Sequence, residues 1–249
     1  MSGHSKWAQI KRQKATADAR RGQVFTKLGR EITVAARQGG PDPEANFRLR
    51  LAIQKAREAN MPMENIERAI KRGAGGSDAT ALEEIVYEGY GPGGAAILVE
   101  AMTDNRNRTA AEVRSIFTRA GGNLGETGCV GWLFDARGVV TVDATGQDAD
   151  EITLQAIDIG AQDVLTVDST VDIYTDPTEV EAVRRGLERQ GIKVTSAEAE
   201  MVPKTTIQLT EEDTIKVLKL MDRLEELDDV QKVYTNVEFS DQVLEKYAA

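Results

Sequence analysis

Residues 84–102 have the sequence EIVYEGYGPGGAAILVEAM, and the hydrophobic pattern of the chain changes here from helical to extended. Two runs rich in aliphatic and β-branched residues, 84–88 and 95–102, flank the glycine-rich segment 89–94. Short runs of this kind, separated by glycine and proline, are typical of strands joined by a turn. The sequence therefore predicts a β-hairpin at this point.

The glycines of this turn also match a nucleotide-binding pattern. Gly89, Gly91 and Gly94 fit G-x-G-x-x-G. A dinucleotide site needs that loop to lead into a helix, whereas here it leads into the apolar run 95–99, AAILV. No G-K-[ST] follows, so a Walker-type phosphate loop is not indicated either, and the hairpin is the favoured interpretation.

Helical periodicity dominates before the hairpin. A helix is predicted to start near Trp7 and to break at Arg21-Gly22, because an interior glycine costs a helix roughly 1 kcal/mol. Further helices are predicted at 23–38, at 44–59 and after Pro62. The side chains expected to face the core of this helical bundle are Val24, Leu28, Ile32, Ala35, Ala36, Phe47, Leu49, Leu51, Ile53, Ala56, Met63, Ile66 and Ile70.

Strands and helices alternate after the hairpin. The predicted strands are 130–134, 139–142, 163–167, 171–174 and 193–201, and the predicted helices are 149–159 and 178–190. A helix at 211–227 and a strand at 230–237 are expected to return to the unit of residues 84–122, because neither piece alone has enough strands to bury a core. Trp132 and Phe134 are predicted to alternate in a strand and to lie in the core, the alternative being a platform on which bases stack. The acidic run 225–229 is expected at a helix end and in solvent.

Charge is distributed unevenly along the chain, whose net charge is −10. Residues 1–37 hold nine Lys or Arg against the two acids Asp18 and Glu31. Dividing the chain after Gly76 gives 16 basic and 7 acidic residues, net +9, on one side and 15 and 34, net −19, on the other. A basic arm on an acidic body indicates a polyanionic partner.

One further basic segment lies within the acidic part. Asp104-Asn105-Arg106-Asn107-Arg108 precedes a predicted helix that Thr109 would cap, with Glu112 three residues on. Two arginines just before a helix N-terminus could bind a phosphate, because backbone N–H groups point outward there. The alternative is a solvated turn between strand and helix. The predicted nucleic-acid-binding residues are Gly3, His4, Ser5, Lys6, Trp7, Lys11, Arg12, Lys14, Arg20, Arg21, Lys27, Arg30, Arg37, Asn105, Arg106 and Arg108.

Several classes of chemistry are disfavoured by composition. The single cysteine, Cys129, allows no internal disulfide, and with the single histidine, His4, it cannot form a clustered zinc site. Nucleophilic catalysis would depend on His4, in a segment that offers little packing. The longest apolar run, 95–99, is far shorter than the roughly 20 residues that span a bilayer. Catalysis by carboxylates alone stays open by this count, because Asp and Glu are abundant, but the acidic runs 211–213 and 225–229 are interpreted as helix-end and solvated positions. We expect no catalytic residues, cofactor, metal, small-molecule substrate or membrane contact.

Several motifs closely resemble those of the YebC family. They are Ser2–Trp7, Lys11–Lys14, Asp18–Gly22, Phe25–Ile32, Asn60–Pro62, Asn65-Ile66, Tyr87–Gly94, Thr103–Arg108 and Tyr174-Thr175. The resemblance begins at Met1, which disfavours the transit peptide that an Arg-rich, acid-poor N-terminus would otherwise suggest. It implies a cytoplasmic, non-enzymatic protein of α+β multidomain fold, with an N-terminal helical bundle followed by two α+β domains of ferredoxin-like type, the third inserted in the second. The predicted boundaries are 1–76, 77–129 plus 204–249, and 130–203.

The resemblance carries two functional readings. Members are commonly named as probable transcriptional regulators that bind DNA, and the family is also linked to translation, where it assists synthesis of difficult sequences such as proline runs on the ribosome. Binding of rRNA or tRNA is favoured here, because a basic arm could order between RNA phosphates while the acidic body stays away. The alternatives are promoter binding and an enzyme that needs neither His4 nor Cys129. A monomer is compatible with the sequence, which leaves the oligomeric state open.

Overall fold

A computed structural model of the protein describes residues 19–75, 82–167 and 169–248. The chain divides into two compact units, which are described separately. The first comprises residues 19–130 and 210–233, and the second comprises residues 131–209 and 234–248. The helix predicted to start near Trp7 lies outside the described residues.

Three helices open the first unit: α1 (Ala19–Gly39), α2 (Phe47–Glu58) and α3 (Met63–Gly73). Their shared core contains Ile32, Leu49, Ile53 and Ile66, all of them buried. The helical part predicted before the hairpin is therefore confirmed.

A buried asparagine fixes the connection between the first two helices. The Asn46 side chain accepts a hydrogen bond from the Leu49 amide at 3.0 Å, as an N-cap does, and donates to the Ala35 carbonyl oxygen at 2.8 Å. One side chain thus caps α2 and ties its start to α1.

Four expectations for these helices are wrong. Helix α1 runs through Gly22 without a break, since the cost of one glycine is small against a helix of 21 residues. Val24, Phe47 and Met63 were expected to face the core, yet they are 42%, 36% and 48% exposed. Phe47 and Met63 lie in the first turn of their helices, where the core-facing stripe has not yet begun. Val24 precedes the buried segment of α1, which starts at Ile32.

The first unit continues with a four-stranded sheet whose order is β3-β1-β2-β8. Its strands are β1 (Glu83–Tyr90), β2 (Ala96–Thr103), β3 (Asn123–Leu124) and β8 (Val230–Thr235). Two helices, α4 (Arg106–Arg119) and α7 (Glu211–Glu225), contact each other in this unit. Because β8 joins β2, the late part of the chain does return to complete the hairpin unit, as predicted.

The hairpin itself is confirmed. Strands β1 and β2 are antiparallel, with Glu88 opposite Leu98, and a 3₁₀ turn at Pro92–Gly94 joins them. Gly93 and Gly94 both have positive φ, 68° and 81°, which glycine adopts at no steric cost. The loop leads into a strand, so the G-x-G-x-x-G match has no structural basis as a dinucleotide site.

The second unit contains an antiparallel sheet of order β5-β6-β4-β7. Its elements are β4 (Phe134–Asp143), α5 (Ala149–Ile159), β5 (Asp163–Val167), β6 (Thr170–Thr175), α6 (Val180–Arg189), β7 (Val194–Pro203) and, near the end of the chain, α8 (Asp241–Ala248). Val140, Ile152, Ile173 and Leu187 form part of its core. Along the sequence this sheet lies between β3 and β8, and the predicted α+β fold class is confirmed.

Two expectations at the start of the second unit are wrong. Residues 131–133 form a 3₁₀ turn, and the two strands predicted at 130–134 and 139–142 are one strand, β4. Phe134 is buried, but Trp132 is 66% exposed. Trp132 lies in the turn that precedes β4, so the alternation of side chains between the two faces of a strand does not apply to it.

Two glycines in the helical part should respond in opposite ways to alanine. A Cβ at Gly22 would meet nothing within 4 Å, whereas a Cβ at Gly73 would meet the Thr33 carbonyl oxygen and lie 2.8 Å from Ala36 Cβ. We expect Gly22→Ala to raise the free energy of unfolding by about 0.5–1 kcal/mol and Gly73→Ala to lower it by about 1–3 kcal/mol. Urea unfolding of both variants measures this, and a destabilising Gly22→Ala would contradict a continuous α1.

Candidate nucleic-acid interface

The predicted site residues of the arm lie outside the described part of the chain. They are Gly3, His4, Ser5, Lys6, Trp7, Lys11, Arg12 and Lys14. Arg20 lies in the first turn of α1, although its side chain is not described. The structure therefore places seven of the predicted residues with their side chains: Arg21, Lys27, Arg30, Arg37, Asn105, Arg106 and Arg108.

The four α1 cations whose side chains the structure describes, Arg21, Lys27, Arg30 and Arg37, do not act alike. Arg21 and Arg37 are exposed. Lys27 Nζ donates a hydrogen bond to the Glu225 carbonyl oxygen at 2.6 Å, at the C-terminal end of α7. Arg30 Nη1 donates to the Met102 carbonyl oxygen at 2.7 Å and to Asp229 Oδ1. Two of the four cations therefore hold α1 against other elements of the first unit, and two face solvent.

The Asp104–Arg108 segment differs from its predicted geometry. Helix α4 begins at Arg106, and its N-cap is Asn105, whose side chain accepts a hydrogen bond from the Arg108 amide at 3.1 Å. The prediction that Thr109 caps the helix is wrong, because Thr109 is buried inside the first turns. The two arginines accordingly lie within the first turn and not before it.

Arginines in a first turn are electrostatically unusual. The helix dipole favours anions at an N-terminus, so a cation there is unfavourable by about 0.3–1 kcal/mol, and the first turn of α4 holds no acid. Arg108 is compensated by Asp104 and Asp229, whose carboxylate oxygens both lie 2.8 Å from Nη2. Arg106 is 67% exposed, and its nearest acid oxygen is Glu83 Oε2 at 3.5 Å. Such an exposed pair contributes little, so Arg106 can bind an external anion.

Asp229 is the buried acid around which this site is built. Its side chain is 5% exposed and accepts hydrogen bonds from Arg30, from Arg108, from Thr103 Oγ1 at 3.1 Å and from Thr109 Oγ1 at 2.5 Å. The sequence prediction that the run 225–229 is solvated is therefore wrong for Asp229. One signal in the sequence could have indicated a buried acid partner: two arginines, Arg106 and Arg108, lie in a first helical turn that contains no acid.

The ionisation of Asp229 follows from these contacts. Burial on its own raises the pKa of the Asp229 carboxyl, but hydrogen bonds from Arg108, Thr109 and Arg30 outweigh it, and the net effect holds the pKa well below its usual range. The same pairing with Asp229, together with Asp104, raises the pKa of the Arg108 guanidinium. The cluster is therefore fully charged at neutral pH.

Residues 19–75, 82–167 and 169–248 contain no group of three or more His, Cys, Asp or Glu side chains that could hold a metal ion. Of the helices that the structure describes, none is long and apolar enough to cross a membrane.

Comparison with known proteins places this geometry in a family. The family model described as the TACO1/YebC protein N-terminal domain matches residues 5–76, and that of the TACO1/YebC second and third domain matches residues 82–237. The chain belongs to the TACO1/YebC family. The resemblance seen in the sequence motifs is thereby confirmed.

Relatives in this family match over their full length. A protein of Dehalococcoides mccartyi named probable transcriptional regulatory protein cbdbA400 is 57% identical over 99% of this chain and 98% of its own. A probable transcriptional regulatory protein of Herpetosiphon aurantiacus is 55% identical over 100% and 99%. The crystal structure of the conserved hypothetical protein Aq1575 from Aquifex aeolicus matches with a TM-score of 0.83 and 50% identity, over 91% of this chain and 93% of that chain.

Removing the buried carboxylate should destabilise the first unit. Asp229→Asn leaves Arg30 and Arg108 without their shared acid, and we expect the free energy of unfolding to fall by about 3 kcal/mol, near the lower limit for breaking a buried pair, because Arg108 is partly exposed. Asp228→Asn, at the exposed neighbouring position, is the matched control and should change stability by less than about 0.5 kcal/mol. Equal effects of the two substitutions in urea unfolding would contradict the role given to Asp229.

The difference between the wild type and Asp229→Asn should depend on pH. Because the folded-state pKa of Asp229 is lowered, its contribution is complete above the unfolded pKa of about 3.9 and is lost as the pH falls towards the folded value. We therefore expect the stability difference to be constant from neutral pH to about pH 5 and to shrink below about pH 4. Urea unfolding of both proteins at a series of pH values tests this. A stability difference that grows on acidification would contradict a lowered pKa for Asp229.

Proposed function

We propose that the chain is a non-enzymatic, cytoplasmic regulator of gene expression that binds nucleic acid through its basic N-terminal part. The observation that carries this proposal is the charge division, net +9 for residues 1–76 against net −19 for the remainder. Such a division favours a polyanion on one part of the surface and repels it elsewhere. The names of the relatives, probable transcriptional regulatory proteins, support a role in gene expression.

The described cations support a nucleic-acid surface that includes Arg21, Arg37 and Arg106. All three are exposed, whereas Lys27 and Arg30 are engaged within the first unit. In this proposal Lys27 and Arg30 position α1, and the exposed cations, together with the arm, contact phosphates. Asn105 acts by capping α4, which orients Arg106.

The favoured mechanism is that of a translation factor, which binds rRNA or tRNA on the ribosome and assists synthesis of difficult sequences such as proline runs. The exposed face of α3 carries Glu64 and Glu67 beside Arg68, and Arg68 is paired with Glu64 at 2.9 Å. Acids on the outer face of a helix are repelled by the phosphates that flank a DNA major groove, which disfavours α3 as a recognition helix. RNA binding by an arm that lies along phosphates needs no such helix.

The second candidate is a transcriptional regulator that binds promoter DNA, as the names of the relatives suggest. The same basic arm would bind duplex DNA without sequence specificity, since phosphate contacts dominate such binding. Binding to DNA in a gel-shift assay would therefore not distinguish the two candidates.

A non-enzymatic role is supported by the state of the one cysteine. Burial, and then the nearby Glu88 carboxylate, raise the pKa of the Cys129 thiol. The thiol is therefore protonated at neutral pH and is a weak nucleophile. Glu88 is itself engaged by the amides of Gly128 and Val130, both at 2.8 Å, which is a structural use of a buried carboxylate.

We also propose that the chain has three domains with the boundaries predicted from its sequence, 1–76, 77–129 plus 204–249, and 130–203. The order of strands supports this, because the sheet of β4–β7 lies in sequence between β3 and β8 of the other sheet. The family models match an N-terminal domain and then a second and third domain.

Crosslinking in living cells, with parallel sequencing of the captured RNA and DNA, tests the proposed function. We expect rRNA and tRNA to be enriched with the wild type and to be strongly reduced with Lys11→Ala/Arg12→Ala, because two phosphate contacts of the arm are lost. The matched control is Arg189→Ala/Lys193→Ala, which removes two exposed cations of the second unit and should capture RNA as the wild type does.

Each departure from that result has a defined meaning. Enrichment confined to promoter DNA would replace the translation reading with the transcription reading. Equal loss of captured RNA in the arm variant and in the control would show that net charge alone is responsible and would contradict a localised basic interface.

A further inference from the structure

A second basic surface lies in the first unit, in the part of the sequence that is acidic overall. It is a groove of about 640 Å³ between the β1–β2 turn, the C-terminal end of α4 and one face of α7. Pro92 and Gly93 contribute the turn, and Gly121 follows α4. The groove contains none of the residues predicted to bind nucleic acid from the sequence.

Four cations and one acid line this groove. Lys216, Lys219 and Arg223 lie at positions i, i+3 and i+7 of α7 and therefore on one face of that helix, and Arg119 comes from the last turn of α4. The acid is Asp213. The local excess of positive charge contrasts with the net charge of −19 for residues 77–249.

Three of the four cations are not neutralised by the protein. Lys216 is paired with Glu212 at 2.8 Å and with Asp213 at 3.3 Å. Within the part of the chain that the structure describes, Arg119, Lys219 and Arg223 are exposed and make no ion pair or side-chain hydrogen bond. Three cations that converge on one groove are therefore available to an external anion.

The C-terminal end of α4 repels an anion less than a helix end with unpaired carbonyl groups would. The amide of Gly122 donates to the Phe117 carbonyl oxygen at 2.9 Å, and the amide of Ala120 donates to that of Ile116 at 3.1 Å. These bonds satisfy carbonyl groups that would otherwise present negative charge to the groove. Gly121 has φ 79°, and a Cβ there would meet nothing within 4 Å, so this edge of the groove is open.

The dimensions of the cationic row indicate a polymer. Lys219 and Arg223, the unpaired cations of α7, are separated by about 6 Å along the helix axis, and Arg119 adds a third cation from α4. Arg119 and Arg106 lie at opposite ends of α4, about 20 Å apart along that helix. A chain of successive phosphates can contact several of these cations, whereas a small anion can contact only neighbouring ones.

We infer that this groove is a second contact site for the phosphate backbone of a bound nucleic acid. The inference rests on the proposed function, because the nucleic acid held by the basic N-terminal part is the one that would also enter the groove. The inference is supported by charge complementarity and by the spacing of Lys219, Arg223 and Arg119. The site is independent of base sequence, because exposed Lys and Arg side chains on a helix contact phosphates without reading base edges.

The test is the salt dependence of binding by the full chain. The probe is an RNA stem–loop with a single-stranded tail, titrated between about 50 and 200 mM KCl. We expect Lys219→Ala/Arg223→Ala to weaken binding at every salt concentration and to reduce the slope of log K against log[salt] by about two, one for each phosphate contact removed. Arg189→Ala/Lys193→Ala is the control of equal charge change and should retain the slope of the wild type.

The other outcomes separate this inference from the proposed function. If Lys11→Ala/Arg12→Ala reduces the slope and the groove variant does not, the groove inference is overturned and the proposed function stands. If the wild type binds neither this RNA nor a duplex DNA of equal length, the proposed function fails. If the groove variant keeps its RNA affinity but loses affinity for a poly-glutamate peptide, the groove is a site for an acidic protein and the inference is overturned. Unchanged thermal unfolding of the variants establishes that they are folded.

Discussion

The buried carboxylate of Asp229 is the constraint on which the first unit depends. A carboxylate that is 5% exposed loses most of its hydration, and it persists as a charge only where cations and hydroxyl donors replace the lost water. Arg30 of α1, Thr103 at the end of β2, and Arg108 of α4 provide those groups. Segments that are distant in sequence therefore meet at one point, and a different docking of the helical part would remove Arg30, one of the two cations that compensate the buried charge.

This constraint also decides which cations remain available to a partner. In α1, Arg30 is directed towards Asp229 while Arg37 is exposed. In the first turn of α4, Arg108 is held by Asp229 while Arg106 is exposed. Each basic segment thus divides into a cation that stabilises the fold and a cation that can bind phosphate. A count of charges overestimates the binding surface for this reason.

The regular elements could be predicted well from the sequence because their causes are local. The bounds of α5 and β5 agree with the predicted segments 149–159 and 163–167, since the capping residue Asp148, the periodic apolar side chains and Gly160 with φ 114° all lie within or beside those segments. The hairpin was predictable for the same reason, because glycine and proline determine its turn. The α+β class and the return of β8 to the first sheet followed from these elements.

The sequence predictions were wrong where burial or capping depends on a residue that is distant in the sequence. Asp228 and Asp229 are neighbours of identical chemistry, yet only Asp229 is buried, because Arg30 and Arg108 reach it and not the other. Asn105 and Thr109 are both suitable N-caps, and the Thr109 hydroxyl is taken by Asp229, which leaves the cap to Asn105. Trp132 shows the same limit, since strand alternation predicts burial only where the strand exists. Hydrophobic periodicity along the sequence does not report contacts of this kind.

The acidic character of the rest of the chain has a consequence for how a nucleic acid would bind. A net charge of −19 on residues 77–249 makes most approaches of a polyanion unfavourable. Local exceptions in the first unit include Arg106 at one end of α4, and Arg119 with Lys219 and Arg223 at the other. Exposed acids around such sites discriminate by repulsion, since an approach that misses the cations meets like charge. The geometry of bound nucleic acid would then be set by where the acids are absent as much as by where the arm attaches, and α4 would define its direction across the first unit.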